Sequence, residues 1–211
     1  MTKSSPTSPL QLVVGVALLQ LLLCFAQVNA AGGLGFDMSG TTTTADLECM
    51  LAAGYKNFIV RAWHSTGTFD TNAPAAIANA HAAGIPYVDI YMFPCSQCSA
   101  TASTQFNSMV SSLSGSTYDT IWLDIEEDSD NDYWSVTPSE NIPFYAELIS
   151  SCASSGLKCG VYSNYNNWVT IFGEVSYQAT GGASLPLWYA DYDGVLDFMT
   201  TSRLEAGWPQ P

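Results

Sequence analysis

The stretch FYAELISSCASSGLKCGVYS, Phe144–Ser163, contains one complete turn from helix to strand. By composition and spacing, Phe144 to Ala153 reads as a helix. Gly156 stands where a helix end favours a residue free to adopt the left-handed conformation, and Lys158 to Ser163 reads as a strand. The same pattern recurs along the chain. Strand-like runs occupy Leu34 to Met38, Asn57 to Ala62, Pro86 to Met92, Thr120 to Ile125, Lys158 to Ser163 and Leu185 to Ala190. Between them, Thr44 to Ala53, Ala75 to Ala83, Thr104 to Leu113, Phe144 to Ala153 and Tyr165 to Phe172 read as helices, with Gly54 and Gly84 repeating the role of Gly156. Strand and helix alternating through short connections argues for parallel strand pairing, because a parallel crossover needs about a dozen residues. No linker, internal repeat or low-complexity block divides the chain.

Two α/β architectures share this rhythm, a βα-barrel and a doubly wound sheet. The glycine fingerprint that cradles a dinucleotide phosphate after the first strand is absent, and Gly32, Gly33 and Gly35 precede or open that strand instead. The sequence therefore predicts an irregular TIM-like βα-barrel. Barrel enzymes carry their chemistry at the carboxyl ends of the strands. Here those ends supply Asp37, then Arg61 with Trp63 and His64, then Tyr91, Asp124 with Glu126, Ser163 with Asn164, and Asp191.

Composition narrows the function classes. The 211 residues carry 19 acidic and 5 basic side chains, a formal charge of −14. A nucleic-acid binder needs a basic face to displace counterions, so that class is excluded. At 47% hydrophobic and 12% aromatic residues the chain is globular. Residues 1–30 read as a signal peptide: Lys3 precedes an apolar run from Leu10 to Phe25, and Val28-Asn29-Ala30 offers the small residues a signal peptidase reads. The run is short for a bilayer span of ~20 residues, so no retained membrane anchor is expected. The remaining domain, residues 31–211, keeps five cysteines in an oxidising compartment, an odd number that leaves one without a partner. Cys152 and Cys159 flank a turn and suit a local disulfide. For Cys95-Ser96-Gln97-Cys98, a structural bridge is favoured over half a zinc knuckle or a redox pair, since no second such pair and no nearby histidine accompanies it.

Asp124-Ile125-Glu126 closes the run Ile121-Trp122-Leu123. Residues two apart on a strand face the same way, about 6.6 Å apart along it, so ionisation of one carboxyl raises the pKa of the other. Acid pairs of this kind break glycosidic bonds, one group protonating the leaving oxygen while the other stabilises or positions what replaces it. The carboxylates that follow, Glu127, Asp128, Asp130 and Asp132, read as a solvated acidic loop. They open like an EF-hand, but Tyr133 stands where the turn glycine belongs and Ser139 where the bidentate glutamate belongs, so no metal site is expected. Trp63, Tyr91, Tyr162, Tyr165, Trp188 and Tyr189 fall at or near strand ends, where flat rings can stack on sugars. About half of them are expected to be core.

In order and spacing, Gly35-Phe36-Asp37-Met38-Ser39, Phe58-Ile59-Val60-Arg61-Ala62, the run from Ala83 to Cys95, Trp122-Leu123-Asp124-Ile125-Glu126, Gly160-Val161-Tyr162-Ser163-Asn164 and Pro186-Leu187-Trp188-Tyr189-Ala190 resemble the successive strands of glycoside hydrolase family 25 lysozymes, the secreted eukaryotic branch above all. The likeness runs from about Leu34 to Asp193. It implies a β-1,4-N-acetylmuramidase cutting bacterial peptidoglycan, with Glu126 as proton donor and Asp124 and Asp37 as its catalytic partners. Arg61, Trp63, Tyr91, Tyr162, Trp188 and Asp191 become the candidate substrate contacts. Neither cofactor nor metal is implied, and the expected form is a monomer in a secreted or lysosomal lumen, away from membrane and nucleic acid. Family members continue past the equivalent of Trp208-Pro209 into a final strand, whereas this chain stops at Pro211, so the barrel is expected to lack its last strand or strands and to be less stable for it. A catalytically impaired, carbohydrate-binding remnant of the fold is the competing expectation. A chitin-type hydrolase is a more distant one, since only Asp-x-Glu of its longer acidic signature is present.

Overall fold

The computed structural model describes residues 33–127, 133–192, 194 and 206–208. The expected signal peptide, the acidic run from Asp128 to Asp132, and Asp193 lie outside the described residues. The strands are β1 (Leu34–Met38), β2 (Tyr55–His64), β3 (Thr68–Phe69), β4 (Tyr87–Met92), β5 (Thr120–Asp124), β6 (Lys158–Ser163) and β7 (Leu187–Tyr189). The helices are α1 (Thr44–Ala52), α2 (Ala73–Ala82), α3 (Ala102–Ser112), α4 (Pro138–Ser155) and α5 (Tyr165–Phe172), with a 3-10 turn at Gly182–Ser184.

Local chemistry sets the helix ends. Thr43 and Asp46 form a reciprocal capping box at the start of α1, and the Thr101 and Asn164 side chains each accept a backbone N–H at the starts of α3 and α5. Gly156 ends α4 at φ 71°, a conformation that costs a residue with a Cβ. The helix α4 begins six residues earlier than its apolar spacing predicts, because Pro138 is preset for a first helical turn whose Ser139 and Glu140 carry no apolar signal. The strand β2 is also longer than expected, running on to His64 and folding back through Gly67 as the short antiparallel β3.

All other pairings are parallel, in the order β1-β2-β4-β5-β6-β7. Each strand lies beside its predecessor and the order never reverses. A doubly wound sheet must reverse at its switch point, so this is the barrel progression expected from the sequence. Among the described residues the path runs from β1 to β7 without closing, giving a curled, open half-barrel with helices on its outer face.

Alternation divides each strand between two faces. Phe58, Val60 and Ala62 of β2, Val88, Ile90 and Met92 of β4, Ile121 and Leu123 of β5, and Val161 of β6 are buried in the core. They join Ile77, Phe106, Met109, Tyr145, Leu148, Trp168 and Phe172 from the helices. Burial of each large side chain here contributes about 1.5–3 kcal/mol. On the other face of β5, Trp122 lies over Gly160 of β6, its register partner. Its indole N–H donates to Asp89 Oδ2 (2.9 Å), while Asp89 Oδ1 accepts from the Thr120 N–H (2.9 Å).

The expected local disulfide Cys152–Cys159 is present, with Cα atoms 6.3 Å apart, and Cys95–Cys98 is a bridge with Cα atoms 5.4 Å apart. Cys49 is disulfide-bonded as well, and no cysteine among the described residues is free. No described helix is long and apolar enough to cross a membrane.

A Cβ at position 160 would overlap the Trp122 ring. Gly160→Ala should therefore destabilise the fold by about 1–3 kcal/mol, the range for overpacking, as measured by urea denaturation; an unchanged midpoint would mean that the indole is not held there.

Candidate active site

At the carboxyl ends of the strands lies a cavity of about 640 Å³. Gly35 and Asp37 of β1 line one side, Tyr91 of β4 with Asp124 and Glu126 from β5 and its exit line the middle, and Tyr162 of β6 with the segment from Trp188 to Tyr192 complete it. The two outermost strands of an open sheet face one cavity only if the sheet curls strongly. Register sets the depth: Asp124 pairs with Tyr162, and Tyr162 with Trp188, so these three side chains stand in one layer above Trp122. The Trp188 ring meets Tyr162 at 4.7 Å and Trp122 at 5.7 Å, both edge-on.

Asp124 is 5% exposed, and its Oδ1 is buried without a hydrogen-bond partner. Burial holds this carboxyl well above the ordinary range, and the charges of Glu126 and Asp37 push it further the same way. Tyr91 is raised by its burial and then by Asp124, with Arg61 acting in the opposite direction. Tyr162 is raised by burial and by its hydroxyl contact with Tyr192 (3.1 Å), a residue 87% exposed at the rim. Asp191 also faces the cavity and holds a buried, unpartnered Oδ2. Two orphaned carboxylate oxygens in one cavity are unusual, since buried polar atoms are nearly always satisfied. They mark places where a ligand rich in hydroxyl and amide groups would bond.

Glu126 lies past the last residue of β5, yet its backbone is not loose. The Ile125 N–H continues the ladder to Tyr162 O (2.9 Å), and the buried Ser163 hydroxyl donates to Ile125 O (2.7 Å). The Trp134 indole N–H donates to Glu126 O (2.9 Å), and the Glu127 N–H points to Asn167 Oδ1 (3.4 Å). The half-buried Glu126 side chain is thereby presented to the same cavity as Asp124.

Of the expected site residues, Asp37, Tyr91, Asp124, Glu126, Tyr162, Trp188 and Asp191 all line this cavity. Arg61 and Trp63 do not. The register slips between Arg61 and Trp63, which breaks the alternation so that Ala62 and Trp63 are both buried. The Trp63 indole donates to Gln105 Oε1 (3.1 Å) in the core. Arg61 reaches sideways, with Nε 2.9 Å from the buried Asp70 and Nη2 donating to Ser39 O (2.9 Å) at the end of β1. His64 Nε2 stands 3.3 Å from the same Asp70 oxygen. Asp89 and Trp122, bonded to each other on the same sheet face as Tyr91 and Asp124, get no role from the sequence. Their signal was parity, since each stands two residues before a named site residue, Tyr91 and Asp124.

The family model of lysozyme-like protein 1 matches residues 28–203. The probable GH family 25 lysozyme 2 of Dictyostelium discoideum is 40% identical over 194 residues, 90% of this chain and 87% of that protein. Lysozyme-like protein 5 of Caenorhabditis elegans is 36% identical over 194 residues, 90% and 86%. In fold, the chain resembles the bacterial lysozyme from Streptomyces coelicolor, with TM-score 0.65 and 20% identity over 86% of this chain and 82% of that one.

A carboxyl whose pKa is raised on folding binds its proton more tightly in the native state, so stability is lost as pH climbs from the unfolded pKa toward the raised one. Asp124→Asn removes that loss and relieves repulsion from Glu126 and Asp37. Its melting temperature should exceed the parent's by several degrees at pH 7.5, with the gap narrowing toward pH 4; a gap that widens on acidification would contradict the buried, proton-retaining state of Asp124.

Proposed function

Because this chain belongs to the glycoside hydrolase family 25 lysozymes, we propose that it cleaves the β-1,4 bond between N-acetylmuramic acid and N-acetylglucosamine in bacterial peptidoglycan, with Glu126 as the general acid. The observation that carries this reading is the buried Asp124 carboxyl, its Oδ1 without a hydrogen-bond partner, beside Glu126 in one cavity.

Two like charges in one poorly solvated pocket repel, so the pair retains a proton at a pH where exposed carboxyls have lost theirs. Glu126, the more open member, delivers that proton to the glycosidic oxygen as the bond to the anomeric carbon breaks. The electron pair of that bond leaves with the oxygen, and the sugar ring becomes oxocarbenium-like. With the pair's single proton delivered, Asp124 is ionised, and together with Asp37 it supplies negative charge beside that cation and orients the acetamido group or the water that attacks. Tyr91, Tyr162 and Trp188 present rings and hydroxyls along the glycan, and Asp191 offers its free oxygen to a sugar hydroxyl. Arg61 contributes from outside the cavity by holding the end of the strand that carries Asp37. Trp63 serves the core.

The remaining features support a secreted or lysosomal location. Disulfides point to an oxidising compartment. The charge of −14 opposes approach to an anionic cell wall at neutral pH, and an acidic lumen both weakens that repulsion and keeps the carboxyl pair protonated.

Replacing Glu126 with Gln keeps the shape and removes the transferable proton. Clearing of a bacterial cell-wall suspension should fall by at least ~10²-fold, the contribution of a positioned general acid; clearing at the parent rate would remove Glu126 from this role. The parent's optimum is expected below about pH 6, and a rate profile peaking at pH 7 or above would refute the assignment to an acidic compartment.

A further inference from the structure

The chain leaves β4 through a loop closed by the Cys95–Cys98 disulfide. A ring spanning so few residues removes little chain entropy from the unfolded state, so its main effect is on local geometry. That geometry is held from two sides. The fully buried Gln105 accepts from the Cys95 N–H (3.0 Å) and donates to the carbonyls of Cys95 (2.8 Å) and Ala100 (2.9 Å). Gly67, at φ 75°, brings the β2–β3 turn so near that a Cβ there would lie 2.8 Å from Cys98 Sγ.

The apex of this loop is aimed at another segment. Ser96 donates through its N–H (2.7 Å) and its hydroxyl (3.1 Å) to the Tyr133 carbonyl, and the hydroxyl also reaches Asn141 Oδ1 (3.0 Å). Asn141 is fully buried near the start of α4. Its Oδ1 accepts from the Ser135 N–H (2.9 Å), and its Nδ2 donates to the carbonyls of Ser135 (2.8 Å) and Ile171 (2.9 Å). Residues 133 and 135 are thus fixed on either side of Trp134. The Trp134 ring packs edge-on against Phe144 and Phe172, and its indole N–H holds the Glu126 carbonyl.

We propose that Ser96, presented by the Cys95–Cys98 loop, and Asn141 are positioning residues for the acid: they fix the segment 133–135, and Trp134, so placed, fixes the backbone of Glu126. This rests on the reading of Glu126 as general acid. Its physical basis is that β5 ends at Asp124 and pairs with β4 only from Ile121 to Leu123. Beyond that point the described ladder continues from β6, through Ile125 to Tyr162, and a further support comes from Trp134. A displacement of about 1 Å at a proton donor costs up to ~10²-fold in rate.

The test combines kinetics on soluble peptidoglycan fragments with hydrogen exchange read by mass spectrometry, for Ser96→Ala, Ser96→Thr and Trp134→Phe. Ser96→Ala and Trp134→Phe should each lower kcat ~10-fold with KM within about twofold, and Ser96→Thr, which keeps the hydroxyl, should restore it. In both deficient variants exchange should quicken in peptides covering 120–127 and stay at the parent rate in α2. Unchanged exchange at 120–127 overturns the proposal whatever the activity, as does exchange that quickens everywhere or a kcat loss that Thr does not repair. A parent that never cleaves the fragments defeats the functional reading, while the exchange data still decide the positioning. A cleaving parent whose variants keep full kcat defeats the positioning alone.

Discussion

Two like-charged carboxyls held side by side in a poorly solvated pocket are an unfavourable arrangement, and much of this fold acts to keep them there. Left to itself the end of a strand would splay and let Asp124 and Glu126 separate into water. The ladder from Ile125 to Tyr162, the Ser163 hydroxyl beneath it and the Trp134 indole on the Glu126 carbonyl prevent that. Strain of this kind, concentrated where chemistry occurs and compensated by its surroundings, is the expected signature of a site rather than of a scaffold.

The rest of the half-barrel follows from the same requirement. A sheet whose order never reverses must curl as it grows, because each strand is rotated against its neighbour in the same sense. That curl brings β1 round to share a cavity with β7 and places Asp37 within electrostatic reach of Asp124. Arg61 ties the end of β1 to the sheet through the Ser39 carbonyl, and the buried Asp70 keeps the guanidinium in place. On the same face as Asp124, the Trp122 indole bonds Asp89 and lies against Gly160, where a Cβ would overlap the ring. The core on the outer face is ordinary close packing of aliphatic and aromatic side chains. Its contribution is to make the strand ends rigid enough to hold a costly arrangement.

Much of the fold was legible in the sequence because it depends on local rules. Strand and helix segments showed through alternation and composition, Gly54, Gly84 and Gly156 marked helix ends that do take positive φ, parallel pairing followed from short connections, and the barrel from the absent glycine fingerprint. The misses have local causes too. The start of α4 carries a proline but no apolar period, and the strand β3 is only two residues long.

The sequence by itself determined that acids, tyrosines and tryptophans cluster at strand ends, since period-two alternation fixes which side chains share a face. It determined the Asp-x-Glu spacing and with it the like-charge pair. Only the tertiary structure decided that Trp63 turns into the core, because the register slip after Arg61 lies in the pairing of β2 with β4 and not in either strand alone. It alone decided that Arg61 faces Asp70 instead of the cavity, that Trp122 bonds Asp89 over Gly160, and that Ser96 and Asn141 bear on a glutamate at least fifteen residues away in the chain. Each of these depends on which segments meet after the sheet has curled, and contacts between distant segments leave no periodic trace in a single sequence.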